Sequence, residues 1–283
     1  MNRALAEAGP WFSKLGPVDW AQWEHAARWL ETQLPEGPHR EQRIHWLTLP
    51  LARWLTQRVE GATQRPLFAG LSAPQGAGKT SLVKVLVPLL AQWGLRAIAV
   101  SIDDFYLRRE EQLQLAAAHP GNVFLEHRGY PGTHDLALGV ATLEALKRGG
   151  EVMLPRYDKA AFGGRGDRSA QGEVVHGPFD VVLLEGWMLG FEPVVSPPPE
   201  LETVNELLRG YAAWTQRLDV MIALRAAEPQ FVLRWRVEAE QVLSRAEVED
   251  YVRRFLPAYA CWGNSVRADL EVVLDVTRGL RGP

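Results

Sequence analysis

The residues Gly76-Ala77-Gly78-Lys79-Thr80-Ser81 join an apolar run at 67–72 to a helical pattern at 79–93. Glycines between a strand and a helix let successive backbone N–H groups point into one concavity. The helix N-terminus adds partial positive charge, so the turn suits a phosphate. Lys79 then supplies a point charge to the β- and γ-phosphates of a nucleotide, and Thr80 a hydroxyl to Mg²⁺. Where the phosphate-loop signature has its first glycine, this chain has Ala73. Because Ala73 precedes Pro74, it is pushed toward an extended backbone with negative φ, which alanine tolerates. Pro74 carries no N–H, so anion binding falls to residues 76–81. The alternative is a glycine-rich turn that binds nothing; the order strand, glycines, Lys-Thr, helix argues for the nucleotide.

Two further apolar runs end in carboxylates. The run at 97–102 leads into Asp103 and Asp104, and the run at 179–184 into Glu185. Ligands of open parallel sheets bind beyond the carboxyl ends of the strands. There, one of the two aspartates can take a proton from an acceptor hydroxyl while the other helps hold Mg²⁺ through water. Glu185 suits an outer position around Mg²⁺ or the orientation of a water. A solvated turn with a helix cap, and an ordinary strand end, are the structural alternatives. Segments 126–135 and 155–168 bring Arg128, Arg156, Lys159, Arg165 and Arg168 together with His134, Asp135 and Tyr157 among flexible glycines. Arginine grips a carboxylate through two parallel hydrogen bonds, so this pool fits an acidic small-molecule acceptor. His134 is either a ligand contact or a residue in the first turn of a helix capped by Thr133. Arg234 and Arg236, in a helical pattern with Trp235 and Glu240, fit either a lid closing over the transferring phosphoryl group or a solvated charged face.

These groups need a scaffold. From Pro66 onward, apolar strand candidates at 67–72, 97–102, 152–155, 179–184, 220–224 and 270–276 alternate with helical patterns at 79–93, 135–148, 201–217, 229–241 and 245–262. Continuous apolar strands alternating with helices predict an α/β fold, with a mainly parallel sheet covered by helices on both faces. Segment 158–178 reads as a long glycine-rich, charged loop. Residues 17–60 read as helical. Asp19 caps a helix with Trp20, Trp23, Ala27 and Leu30 on one face and Trp29 opposite. A second helix turns Ile44, Leu47, Leu51 and Leu55 inward, with a kink at Pro50. No chemistry is apparent before residue 66, which divides the chain into a helical extension, 1–65, and a catalytic domain, 66–283.

The bulk properties narrow the classes. The 283 residues carry a net charge of −3, so no basic footprint points to nucleic acid. The single cysteine, Cys261, rules out an internal disulfide framework. The N-terminus lacks the apolar core of a signal peptide, and no run reaches the roughly 18 apolar residues of a membrane span. A cytoplasmic protein without a membrane partner is expected.

The motifs SAPQGAGKT (72–80), SIDDFYL (101–107), RGYPGTHD (128–135), PRYDKAAFGGRGDR (155–168), LLEGWMLGF (183–191), TVNELLRGYAAW (203–214) and WRVEAE (235–240) occur in this order. Together they resemble the P-loop kinase group of uridine kinase, phosphoribulokinase and bacterial pantothenate kinase. Within that group the chain most resembles the D-glycerate 3-kinase family of plants and cyanobacteria. The resemblance implies the kinase-type three-layer fold of P-loop NTPases, with ATP and Mg²⁺. It also implies phosphoryl transfer to a hydroxyl of a small acid, D-glycerate giving 3-phosphoglycerate. It matches Asp103, rather than Asp104, to the base position, and the family shares the small residue before Pro-Gln-Gly. Two other readings are a kinase of a nucleoside- or pantothenate-like alcohol and a regulatory protein that binds ATP without transferring it.

Overall fold

The computed structural model describes residues 3–239, 249 and 252–281. Its strands are β1 Leu67–Ser72, β2 Ala97–Ser101, β3 Glu151–Leu154, β4 Tyr157–Asp158, β5 Asp167–Arg168, β6 Glu173–His176, β7 Val181–Gly186, β8 Val220–Ala226 and β9 Leu270–Leu274. Five of them form the central sheet in the order β2-β7-β1-β8-β9. Every pairing in it is parallel. β1 and β7 are buried along their whole length, as an apolar strand covered on both faces must be. Parallel pairing sends all five carboxyl ends to one edge, so the turns after β1, β2, β7, β8 and β9 share one side of the molecule.

Three expectations need correction. The strand at 151–154 does not join the parallel sheet; β3 pairs antiparallel with β6. Its burial alternates, with Val152 and Leu154 inside and Glu151 and Met153 outside, which is the mark of a strand covered on one face only. Segment 158–178 is not one loop: it holds β6 and a short ladder in which Tyr157 faces Arg168 and Asp158 faces Asp167. The helical pattern at 201–217 divides into Glu202–Leu208, a tight turn at Arg209–Tyr211 and Ala212–Thr215. Gly210 lies at that break, where a Cβ would come within 2.8 Å of the Leu136 side chain. The helix Arg109–Ala118 has weak patterning and was not expected. The patterns reaching 241 and beginning at 245 run into residues outside the described ones, Glu240 among them; Phe231–Ala239 and Leu256–Trp262 are helical.

Asp19 caps the helix Trp20–Gln33, its carboxylate accepting from the N–H groups of Ala21 and Gln22. Trp23, Ala27 and Leu30 are buried on its inner face. Residues 40–61 form a helix interrupted by a π turn, Arg43–Thr48, which leads into Leu49–Gly61. The irregularity thus lies in the turn just before Pro50. Without an N–H, Pro50 cannot bond the carbonyl four residues back, and the wider turn carries the chain past that gap. Ile44, Leu47, Leu51 and Leu55 are buried, as expected. These N-terminal helices pack on the helix Lys79–Gln92, and their apolar residues share one continuous core with the sheet. Among the described residues no helix is long and apolar enough to cross a membrane.

Candidate active site

The phosphate loop leaves β1 with Ala73 N–H donating to the Gly186 carbonyl at 3.2 Å. Gly76 and Gly78 take positive φ, 76° and 89°, whereas Ala73 does not. The two glycines therefore stand where the backbone needs them, and the alanine stands where it does not. The loop is braced from outside. Gln75 N–H donates to Tyr259 Oη at 3.1 Å, and the Gly76 carbonyl accepts from Arg278 Nε at 2.8 Å. A Cβ on Gly76 would lie 2.8 Å from the backbone of Trp235, so the helix Phe231–Ala239 packs directly on the loop. Ala77 is buried, while Thr80 and Ser81 are exposed in the first turn of the following helix. Lys79 Nζ lies 4.0 Å from a Glu185 carboxylate oxygen.

Sheet register explains that contact, since Glu185 is flanked by Leu71 of β1 and Ser101 of β2. Its Oε2 is buried without a hydrogen-bond partner among the described residues. Burial pushes the Glu185 pKa up against the pull of Lys79. Asp103 and Asp104 follow β2 in a tight turn, Ile102–Phe105, where Ser101 Oγ accepts from Asp103 N–H. Lys159 Nζ reaches Asp103 at 2.6 Å. Burial works to raise the Asp103 pKa, but Lys159 and Lys79 outweigh it and hold the carboxyl at about 2. Asp104 is engaged differently: Arg156 pairs with it at 2.8 Å and Tyr157 N–H donates to it at 3.1 Å, while Arg156 also grips Glu173. Burial nonetheless raises the Asp104 pKa. Among the described residues no group of three or more His, Cys, Asp or Glu could hold a metal by itself. Mg²⁺ takes much of its shell from phosphate oxygens and water, so the exposed Thr80 hydroxyl and a nearby carboxylate suffice for it.

His134 is not in a helix's first turn, and Thr133 does not cap one. Asp135 caps Leu136–Arg148 by accepting from Leu138 N–H at 2.9 Å, and its other oxygen meets Arg168 at 3.2 Å. His134 is buried, stacked on Tyr106 with ring centres 4.3 Å apart. Its Nδ1 is 2.7 Å from Tyr211 Oη, which itself accepts from Gly132 N–H. In the tautomer in which the tyrosine hydroxyl donates to Nδ1, the imidazole carries its proton on Nε2. That Nε2 has no partner among the described residues. Burial drives the His134 pKa down to about 3 despite the pull of Asp103, so the ring is neutral.

The remaining cations are spread out. Arg128 donates to the carbonyls of Gly164, Arg165 and Lys159, clipping the glycine-rich segment in place. Arg165 leans on His127 beside a cavity of about 460 Å³ shared with Arg128 and Arg254. Arg234 is exposed and paired with Glu238 at 2.7 Å. Arg236 brings its backbone N–H to the phosphate loop, 3.0 Å from where a Cβ on Gly76 would lie.

No family model matches the chain. It is 40% identical over 248 residues to the chloroplastic D-glycerate 3-kinase of Arabidopsis thaliana, covering 78% of this chain and 54% of that protein. It is 34% identical over 248 residues to an uncharacterized kinase of Schizosaccharomyces pombe, covering 76% of this chain and 90% of the relative. The chain belongs to the D-glycerate 3-kinase family of P-loop kinases. It spans about half the length of the Arabidopsis relative. A solved D-glycerate 3-kinase from Cryptococcus neoformans shares the fold with a TM-score of 0.74 and 26% identity, over 94% of this chain and 99% of that one.

Several site residues escaped the sequence reading. Tyr211, Tyr259 and Arg278 reach the site from distant segments, and only Tyr211 lies in a motif that carried the family resemblance. Arg43, from the N-terminal helices, rests over Gly78: a Cβ there would be 3.0 Å from its Nη2. No spacing pattern marks it.

Proposed function

We propose that this protein is an ATP-dependent kinase that transfers a phosphoryl group to a hydroxyl of a small acid, D-glycerate giving 3-phosphoglycerate. One observation carries the reading: Asp103 is held ionised between two lysines, Lys79 of the phosphate loop and Lys159 of the glycine-rich segment. That puts a hydroxyl-orienting carboxylate between the donor's loop and a cation able to take an acid. In this reading, N–H groups of residues 76–81 cradle the triphosphate and Lys79 neutralises charge on the moving phosphoryl group. Thr80 would hold Mg²⁺, with Glu185 near it, and the ion would supply charge neutralisation for the phosphate groups. Arg156 and Tyr157 N–H already occupy Asp104, which favours Glu185 for that role. The acceptor hydroxyl donates to Asp103 and passes its proton there as the new O–P bond forms and the bond to the leaving ADP oxygen breaks. A carboxylate of low pKa is a weak base. Phosphoryl transfer has a loose transition state, in which orientation matters more than early proton removal. The acceptor's carboxylate displaces Lys159 from Asp103 and takes a hydrogen bond from His134 Nε2. Arg168 and Asp135 fix that histidine's surroundings, and Arg128 and Arg165 shape the segment bearing Lys159. Arg234 and Arg236 act by closing their helix over the loop.

The proposal includes a division at residues 65 and 66 into a helical extension and a kinase domain. It also includes a cytoplasmic setting, with a diffusible small acid as the partner and neither nucleic acid nor membrane. Release of ADP with and without D-glycerate, with the product identified by phosphorus NMR, tests the reading. D-glycerate should raise turnover and give 3-phosphoglycerate. Turnover with uridine or pantothenate but not D-glycerate would change the acceptor, and ATP binding without transfer to any hydroxy acid would refute the kinase.

A further inference from the structure

Arg43 begins the π turn of the N-terminal helix and is partly buried with its guanidinium against Gly78 of the phosphate loop. Among the described residues that guanidinium has neither a hydrogen bond nor an ion pair. Burial and the neighbouring Arg278 both push its pKa down. The other cations around the loop each face a carboxylate. Lys79 faces Glu185, Lys159 pairs with Asp103, and Arg278 holds Glu238 as well as the carbonyls of Gly76 and Trp235. A shielded cation without an anion is costly, and it persists where a ligand supplies the missing charge. Its approach to Gly78 puts Arg43 beside the nucleotide loop, on the donor side of the site.

We propose that Arg43 is a ligand of the bound nucleotide's phosphates, reaching them across Gly78, so that the N-terminal helical segment completes the nucleotide site. The proposal rests on the reading of residues 76–81 as an ATP-binding loop. It gives the helices before the sheet a role in catalysis, since loss of their docking removes a phosphate contact along with packing. A guanidinium offers two parallel donors to a phosphate, which an ammonium cannot reproduce.

The test uses the full chain with Arg43→Met, which keeps the apolar stem, and Arg43→Lys, which keeps the charge without the fork. Binding of MgATP, MgADP and adenosine is measured by calorimetry, and the melting temperature is measured without nucleotide. The Met variant should bind MgATP and MgADP about 10- to 100-fold more weakly, the range for a lost charged hydrogen bond. The Lys variant should fall between, and adenosine affinity should stay unchanged. Without nucleotide, the Met variant should melt at or above the wild-type temperature, because an uncompensated charge has been removed. Equal MgATP affinity in wild type and Met variant would overturn the proposal. So would an equal loss toward adenosine, or a fall in ligand-free melting temperature that accounts for the weaker binding. Wild-type protein that fails to bind MgATP would instead overturn the nucleotide reading on which the proposal rests.

Discussion

Replacing Lys159 by methionine removes the main cation acting on Asp103 while keeping most of the side chain's apolar length. The fold moves the Asp103 pKa from 3.8 to about 2, which at about 1.4 kcal/mol per unit corresponds to about 2–3 kcal/mol of net stabilisation of the ionised form. Lys159 supplies only part of this, with Lys79 contributing and burial opposing. Its side chain is 57% exposed against 20% for Asp103, so solvent screens its share. About 1 kcal/mol is the expected loss at neutral pH. The sign with pH follows from the direction of the shift. A carboxyl whose folded pKa lies below its unfolded one stabilises the protein above pH 3.8, and that stability is lost as pH falls toward about 2. Without Lys159, burial faces Lys79 alone and the folded pKa moves up. The variant then protonates Asp103 earlier on acidification, and its deficit relative to wild type shrinks. Urea unfolding of both proteins in steps from neutral pH into the acid range reads this directly. A deficit that stays constant or widens as pH falls would refute the assignment of Asp103 as the partner of Lys159.

Three other outcomes are expected. Asp103→Asn should keep MgATP affinity in calorimetry and lower kcat by about 100-fold or more, the range for a lost proton-accepting group. His134 resists protonation down to about 3, while the unfolded chain takes up that proton near 6.5. Stability should therefore fall by about 2 kcal/mol between neutral pH and pH 5, and His134→Gln, which keeps an N–H donor, should flatten that part of an unfolding profile. Gly76→Ala forces a side chain onto a φ of 76° and places its Cβ 2.8 Å from Trp235. It should cost about 2–4 kcal/mol in chemical unfolding and weaken MgATP binding through the displaced loop.

Local chemistry made much of the scaffold legible. A residue run such as Val181-Val182-Leu183-Leu184 can be satisfied only in the middle of a sheet, and β1 and β7 occupy that place. Asp19 caps its helix and Ala73 takes the non-glycine backbone, both read from neighbours one to three positions away. The errors share a cause. Whether Val152 and Leu154 enter a parallel sheet or an antiparallel pair depends on β6, more than 15 residues further on, which looked like loop. Thr133 was offered as a cap beside an equally able Asp135, and the choice turned on which backbone the helix presented.

By itself the sequence determined the phosphate loop, the carboxylates at strand ends and the family resemblance, because each depends on residue types at short fixed spacings. The tertiary structure alone decided how those charges pair. Which of two adjacent aspartates meets Lys159 and which meets Arg156 depends on where the glycine-rich segment folds back. The partner of His134 Nδ1 is Tyr211, 77 residues away in the chain. Arg43 carries no local signature at all; only the packing of the N-terminal helices beside the sheet brings it over Gly78.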